Sequence, residues 1–147
     1  MGSTFLSLHY HIVFSTKERR PFINPAWRSK LHEYLGGIIR GLGGIPEITG
    51  GVEDHVHLLV GLRATHVLAD FMRELKKASS TWASESHAKD FSWQDGYAAF
   101  TVGWIHLESV HQYIATQEEH HRKIDFVSEL RALLEKNGVK YEEKYLL

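Results

Sequence analysis

Two histidines one residue apart, His55 and His57, stand at the mouth of the apolar run Leu58-Leu59-Val60. In a β-strand side chains alternate faces, so both imidazoles point one way and Val56 points the other. Two imidazoles on one strand face make half of a metal site; the alternative is a pair of half-buried histidines at a strand start. A second set lies downstream. Tyr113 and Gln117 are four residues apart, and on a helix that spacing puts them on one face with Cβ atoms about 5–6 Å apart. His120 and His121 follow one turn later. Tyrosine is a competent nucleophile when its oxyanion is stabilised. A divalent ion on two histidines and an amide oxygen keeps open positions to polarise a phosphate oxygen. Together these groups suit phosphodiester chemistry. The alternative for Tyr113 is an ordinary half-buried helix tyrosine.

Composition narrows the choice. The 147 residues fit one domain, 1–147. Cysteine is absent, which excludes a disulfide scaffold, thiol catalysis and cysteine-bound zinc; a metal must sit on His, Asp, Glu or an amide oxygen. No secretory pattern and no apolar run of roughly 20 residues is present, so a cytoplasmic protein without a membrane partner is expected. The net charge of -1 makes no global case for nucleic acid. Lys17, Arg19 and Arg20 cluster, however, as do Arg73, Lys76 and Lys77, and a local patch binds phosphates even when the sum is near zero. The alternative for each cluster is a solvated face. Eleven histidines also produce a second pair, His9-Tyr10-His11.

The elements that must position these groups follow from periodicity. Thr4 to Ser15 is predicted as a strand, rich in β-formers. Asn24-Pro25 predicts a helix start, with apolar positions from Trp27 to Leu42 at spacings of three and four. Ile45 to Val52, broken by Pro46 and by Gly50-Gly51, and His55 to Leu62 are predicted strands, the glycines marking a bulge or tight turn just before His55. A helix from Thr65 or His66 carries Leu68, Phe71, Met72 and Leu75 inward. A fourth strand runs from Tyr97 to Trp104, a third helix from His106 or Leu107 to about Lys123, and a fourth from Asp125 to Lys136 with Phe126, Leu130, Leu133 and Leu134 on one side. The order β-α-β-β-α-β followed by helices predicts an α+β, ferredoxin-like antiparallel sheet with a C-terminal helical extension that carries Tyr113. In the third helix the apolar stripe Leu107, Val110, Ile114 continues as Gln117, Glu118 and His121, turning polar where a site would lie across it.

His55-Val56-His57 before Leu58-Leu59-Val60, with Tyr113-Ile114-x-x-Gln117 downstream, resembles the single-tyrosine HUH transposases of the insertion sequence 200/605 type. Further matches run in order: Tyr10 to Lys17 with Arg19-Arg20-Pro21, Leu75-Lys76-x-x-Ser79-Ser80, Trp93-Gln94-x-Gly96-Tyr97, Glu119 to Lys123, and Tyr141-x-x-x-Tyr145-Leu146. The later ones resemble the branch associated with repeated palindromes. The resemblance implies that His55, His57 and Gln117 bind Mg²⁺ or Mn²⁺, and that Tyr113 attacks a phosphate of single-stranded DNA to give a 5′-phosphotyrosine and a free 3′-OH. It implies DNA hairpins at element ends as substrate, with Lys17, Arg19, Arg20, Arg73, Lys76 and Lys77 as DNA contacts, and a homodimer in which Tyr113 acts in cis or in trans. His11, Asp54, His120 and His121 are candidate supporting residues around the metal. Two alternatives have distinct signatures: a domesticated hairpin-DNA-binding protein of the same fold without transposition, and a metal-binding or sensing protein that ignores nucleic acid.

Overall fold

The computed structural model describes residues 2–146. Strand β1 (His9–Ser15), helix α1 (Arg28–Gly41), β2 (Ile45–Gly51), β3 (His55–Gly61), α2 (Leu68–Ser86) and β4 (Ala98–Thr101) follow in the predicted order. Helices α3 (Leu107–Ala115), the single turn α4 (Gln117–His120) and α5 (Phe126–Lys136) come after them. The strands form one sheet, ordered β2-β3-β1-β4, with every neighbouring pair antiparallel. This is the α+β, ferredoxin-like arrangement that the element order predicts, with Tyr113 on α3 of the helical extension.

Every residue of β3 is buried, because helices cover both faces of the sheet. Val56, Leu58 and Val60 join Ile12 and Phe14 of β1 against Leu31, Leu35 and Ile39 of α1 and Phe71 and Leu75 of α2. On the other face Leu59 packs with Val102 and Ile114, and Val13 packs with Phe126 and Leu134 of α5. A strand buried on both sides loses the apolar–polar alternation of a half-exposed one, which explains the unbroken Leu58-Leu59-Val60.

Several boundaries differ from the sequence expectation, each for a local reason. Residues 4–8 stay outside β1, where Phe5 and Leu6 are exposed. Asn24 opens a turn rather than α1 itself: its Oδ1 accepts from the Ala26 amide at 3.0 Å, and the helix begins at Arg28 once the Trp27 indole is buried. Of the two predicted breaks in β2, the register shift falls at the first, between Pro46 and Ile48, since Pro46 cannot donate to the ladder. The predicted third helix breaks at Thr116, whose φ of -105° and ψ of 21° leave the helix while its hydroxyl donates back to the Gln112 carbonyl at 3.0 Å. The predicted Asp125 start of the last helix is its N-cap, its side chain accepting from the Ser128 amide at 2.9 Å.

One glycine decides where α3 sits. A Cβ on Gly50 would lie 2.3 Å from the Ile114 carbonyl oxygen. Only a residue without a side chain lets α3 press onto the sheet at this point. That approach brings Tyr113 and Gln117 over the His55–His57 side of β3.

Candidate metal centre and nucleophile

His55 and His57 share the α3–α5 side of β3, and both are fully buried. Each has an outer partner that fixes its ring. His55 Nδ1 lies 2.7 Å from Asp54 Oδ1, and His57 Nδ1 lies 2.8 Å from His11 Nε2. Holding the far nitrogen this way aims the near nitrogen and sets its basicity, as around ligating imidazoles. The two Nε2 atoms converge on Glu129 of α5, at 3.3 Å for His55 and 3.0 Å for His57 from the same Oε1.

Glu129 is the centre of the site, and the sequence reading passed over it. His121 Nε2 also meets Oε1, at 2.9 Å. The other oxygen, Oε2, accepts from the Tyr113 hydroxyl and from Gln117 Nε2 at 2.9 Å, with His120 Nε2 at 3.5 Å. Gln117 Oε1 lies 3.3 Å from His55 Nε2. The structure therefore brings His11, Asp54, His55, His57, Tyr113, Gln117, His120 and His121 to one place within a single chain. His9 stands apart, paired with Glu47 at 3.0 Å. A signal for Glu129 was present: it lies three residues after Phe126 and four before Leu133, on the stripe that faces inward, where a carboxylate needs partners.

The charges are set by these contacts. Burial favours neutral His55, but hydrogen bonds to Asp54 and Glu129 outweigh it and push its pKa up to about 9. At His57 burial prevails over Glu129 and takes the imidazole down to about 4. His11 falls to about 3 through burial and the neighbouring His57. Burial pushes the Glu129 carboxyl up, yet bonds from His121, His55 and His57 outweigh it and hold the group far below the usual carboxylate range. Burial and the facing Glu129 push the Tyr113 phenol well above its ordinary value. His55, His57, His121 and Glu129 each offer a ligand atom within 4.8 Å of the others, a set able to hold a divalent ion.

The basic residues divide. Lys17 and Arg20 are exposed on the loop after β1, where Glu18 lies 3.4 Å from Arg20. Lys77 is exposed on α2, and Arg73 pairs with Asp70 at 3.0 Å. Lys76 is half-buried, its ammonium donating to the carbonyls of Gln94 and Gly96 at 2.7 Å each, so it anchors the segment before β4. That segment also receives the basic loop, through Lys17 N to Ser92 O at 3.0 Å and Glu18 N to Gln94 Oε1 at 3.0 Å. Among the described residues no helix is long and apolar enough to cross a membrane.

A crystal structure from Deinococcus radiodurans R1, assigned as a transposase, superposes with a TM-score of 0.63 at 26% identity, over 80% of this chain and 96% of that one. The structure of a REP-associated tyrosine transposase bound to a REP hairpin matches in fold, with a TM-score of 0.62 at 14% identity, over 88% of this chain and 79% of that one. No curated protein matches the sequence. The family model for IS200-like transposases matches residues 4–117, a span that takes in His55, His57, Tyr113 and Gln117 and stops short of Glu129; the chain belongs to the IS200-like transposase family.

Proposed function

We propose that this protein is a cytoplasmic, metal-dependent transposase that cuts and rejoins single-stranded DNA at hairpin-marked ends through Tyr113. One observation carries the reading: the Tyr113 hydroxyl and the His55–His57 pair meet on a single buried carboxylate, Glu129. Nucleophile and metal-ligating groups thus lie within reach of one phosphate, and all come from one chain. That supports action of Tyr113 in cis; in a homodimer each protomer would carry its own complete site.

The residues fit a divalent ion, Mg²⁺ or Mn²⁺, held by His55, His57 and the Gln117 amide oxygen. When bound, such an ion supplies positive charge toward a phosphate oxygen. The chain's own groups do the rest. Tyr113 Oη attacks the phosphorus and forms the P–Oη bond as the P–O3′ bond breaks. The phenol proton passes to Glu129 Oε2, which it already faces, in concert with P–Oη bond formation, which makes the phenol oxygen acidic enough for so weak a base. The departing 3′ oxygen takes a proton from water. The products are a 5′-phosphotyrosine and a free 3′-OH, and the reverse step joins strands without an outside energy source. A cavity of about 340 Å³ opens beside Tyr113, walled by His11, Phe100 and Leu133, with His106 and Lys136 at its lining, and gives room for a flanking nucleotide. Lys17, Arg19, Arg20, Arg73 and Lys77 supply phosphate contacts, while unpaired bases supply specificity.

The test is a covalent adduct. Protein, Mn²⁺ and single-stranded hairpins from the sequence flanking its gene should give a protein–DNA adduct that Tyr113→Phe abolishes. Failure on every flanking strand sinks the reading, and an adduct from Tyr113→Phe sinks the nucleophile assignment. The complete burial of both imidazoles favours a second reading, a hairpin binder without strand transfer. It expects salt-dependent hairpin affinity, unchanged in Tyr113→Phe, and no adduct from either protein.

A further inference from the structure

We propose that Glu129 and His121 are metal ligands, and that with His55 and His57 they form a site selecting a first-row transition ion over magnesium. The proposal rests on the metal-dependent reading above and extends it to two residues beyond the 4–117 span that the family model covers.

Three imidazole nitrogens surround one carboxylate oxygen: His55, His57 and His121 Nε2 lie 3.3, 3.0 and 2.9 Å from Glu129 Oε1. Around an ion with bonds of ~2.0–2.1 Å, adjacent ligand atoms stand ~2.9 Å apart in an octahedron and ~3.3–3.4 Å apart in a tetrahedron. The three carboxylate-to-imidazole separations already match those of a ligand shell, and all four ligand atoms lie within 4.8 Å of one another. The carboxylate is also held for the task through its other oxygen, by the Tyr113 hydroxyl and Gln117 Nε2. Outer bonds from Asp54 and His11 hold two of the imidazoles. Ligating imidazoles and carboxylates carry outer bonds of this kind.

The donor types then choose the ion. Imidazole suits the first-row transition series, whereas Mg²⁺ prefers oxygen donors and retains several waters. Three imidazoles, one carboxylate and the Gln117 amide oxygen give five protein donors. A six-coordinate ion such as Mn²⁺ keeps one position for a phosphate oxygen. The same carboxylate would then touch the ion with Oε1 and the nucleophile with Oε2.

The test titrates the metal-free, DNA-free chain with Mn²⁺ and Mg²⁺ separately, followed by calorimetry. The expected result is Mn²⁺ bound at least ~100-fold more tightly than Mg²⁺. Glu129→Gln and His121→Asn should each weaken Mn²⁺ binding by about 10–100-fold. Affinities for the two ions within about threefold of each other overturn the selectivity. If Glu129→Gln binds Mn²⁺ as tightly as wild type, or more tightly, the carboxylate is filling the ion's place rather than ligating it, and the proposal falls. X-ray absorption on the Zn²⁺-loaded wild-type chain needs no substitution: three imidazoles are expected, and two remove His121. None of these measurements reads DNA cleavage. A chain that binds ions as expected yet forms no adduct keeps this ligand set and loses the strand-joining reading.

Discussion

The two faces of the sheet obey opposite rules although one strand, β3, serves both. Beneath α1 and α2, Val56, Leu58 and Val60 enter a predominantly apolar layer, and burial is itself the stabilising interaction. Beneath α3 and α5, His55 and His57 are buried as fully, but there burial opposes the charged forms and bonds must answer it. Two imidazoles show the contrast. His32, on α1, has a buried Nε2 without a hydrogen-bond partner, and burial together with Arg28 takes it down to about 4. His55, bonded to Asp54 and Glu129, is pushed up to about 9. Burial yields to two carboxylate partners at His55 but prevails over Glu129 at His57, so depth and partners act against each other on the polar face, while at His32 no partner opposes depth.

Three substitutions press on this division. Leu58→Ala should cost about 2–5 kcal/mol of unfolding free energy, read from denaturant midpoints, because the apolar layer has no way to answer a cavity. The Mn²⁺ stoichiometry of the folded fraction should stay at wild type; if it falls, the two faces are not separable. Gly50→Ala acts on the other face, by forcing a Cβ against the Ile114 carbonyl. About 1–3 kcal/mol of stability should go, together with most of the adduct yield, as α3 lifts Tyr113 and Gln117 away from Glu129. Unchanged adduct formation would mean that the close approach at Gly50 does not position the nucleophile. The smallest effect concerns acid. The folded-state pKa of His32, about 4, lies below its ordinary value of 6.5. Its contribution is therefore present above about pH 6.5 and is lost as pH falls toward 4. His32→Gln should flatten that limb by about 1–2 kcal/mol, after discount for partial exposure, in thermal melts of the metal-free chain. A limb of unchanged slope would assign acid sensitivity to the polar face instead.

Much of this was readable from residue order. The β-α-β-β-α-β pattern survives because long periodic stretches, such as Leu31, Leu35 and Ile39 on α1, leave little choice of element. His55 and His57 share a face by strand geometry alone, and Tyr113 and Gln117 come together although a break at Thr116 separates their helices. That break was hidden, since a threonine inside a helical pattern is common and only its back-bond to Gln112 reveals it. Glu129 was hidden in plain view. Phe126, Leu130, Leu133 and Leu134 mark a core-facing stripe, and the carboxylate among them goes unnamed because no sequence pattern shows which imidazoles await it. Lys76 misled in the opposite direction: its charge suggested DNA, while its ammonium is committed to two backbone carbonyls.

The bonds that knit the site also fix when it can exist. His11 meets His57 across 46 residues, His55 meets Gln117 across 62, and His57 meets Glu129 across 72. Closing such long loops is entropically unfavourable and comes late relative to local helix formation. During synthesis the strand carrying His55 and His57 leaves the ribosome well before the helix that completes their cage. A truncated or half-made chain would hold the histidines without Tyr113 and Glu129. The closed cage around Glu129 is therefore a property of the finished topology, completed late rather than built up along the chain.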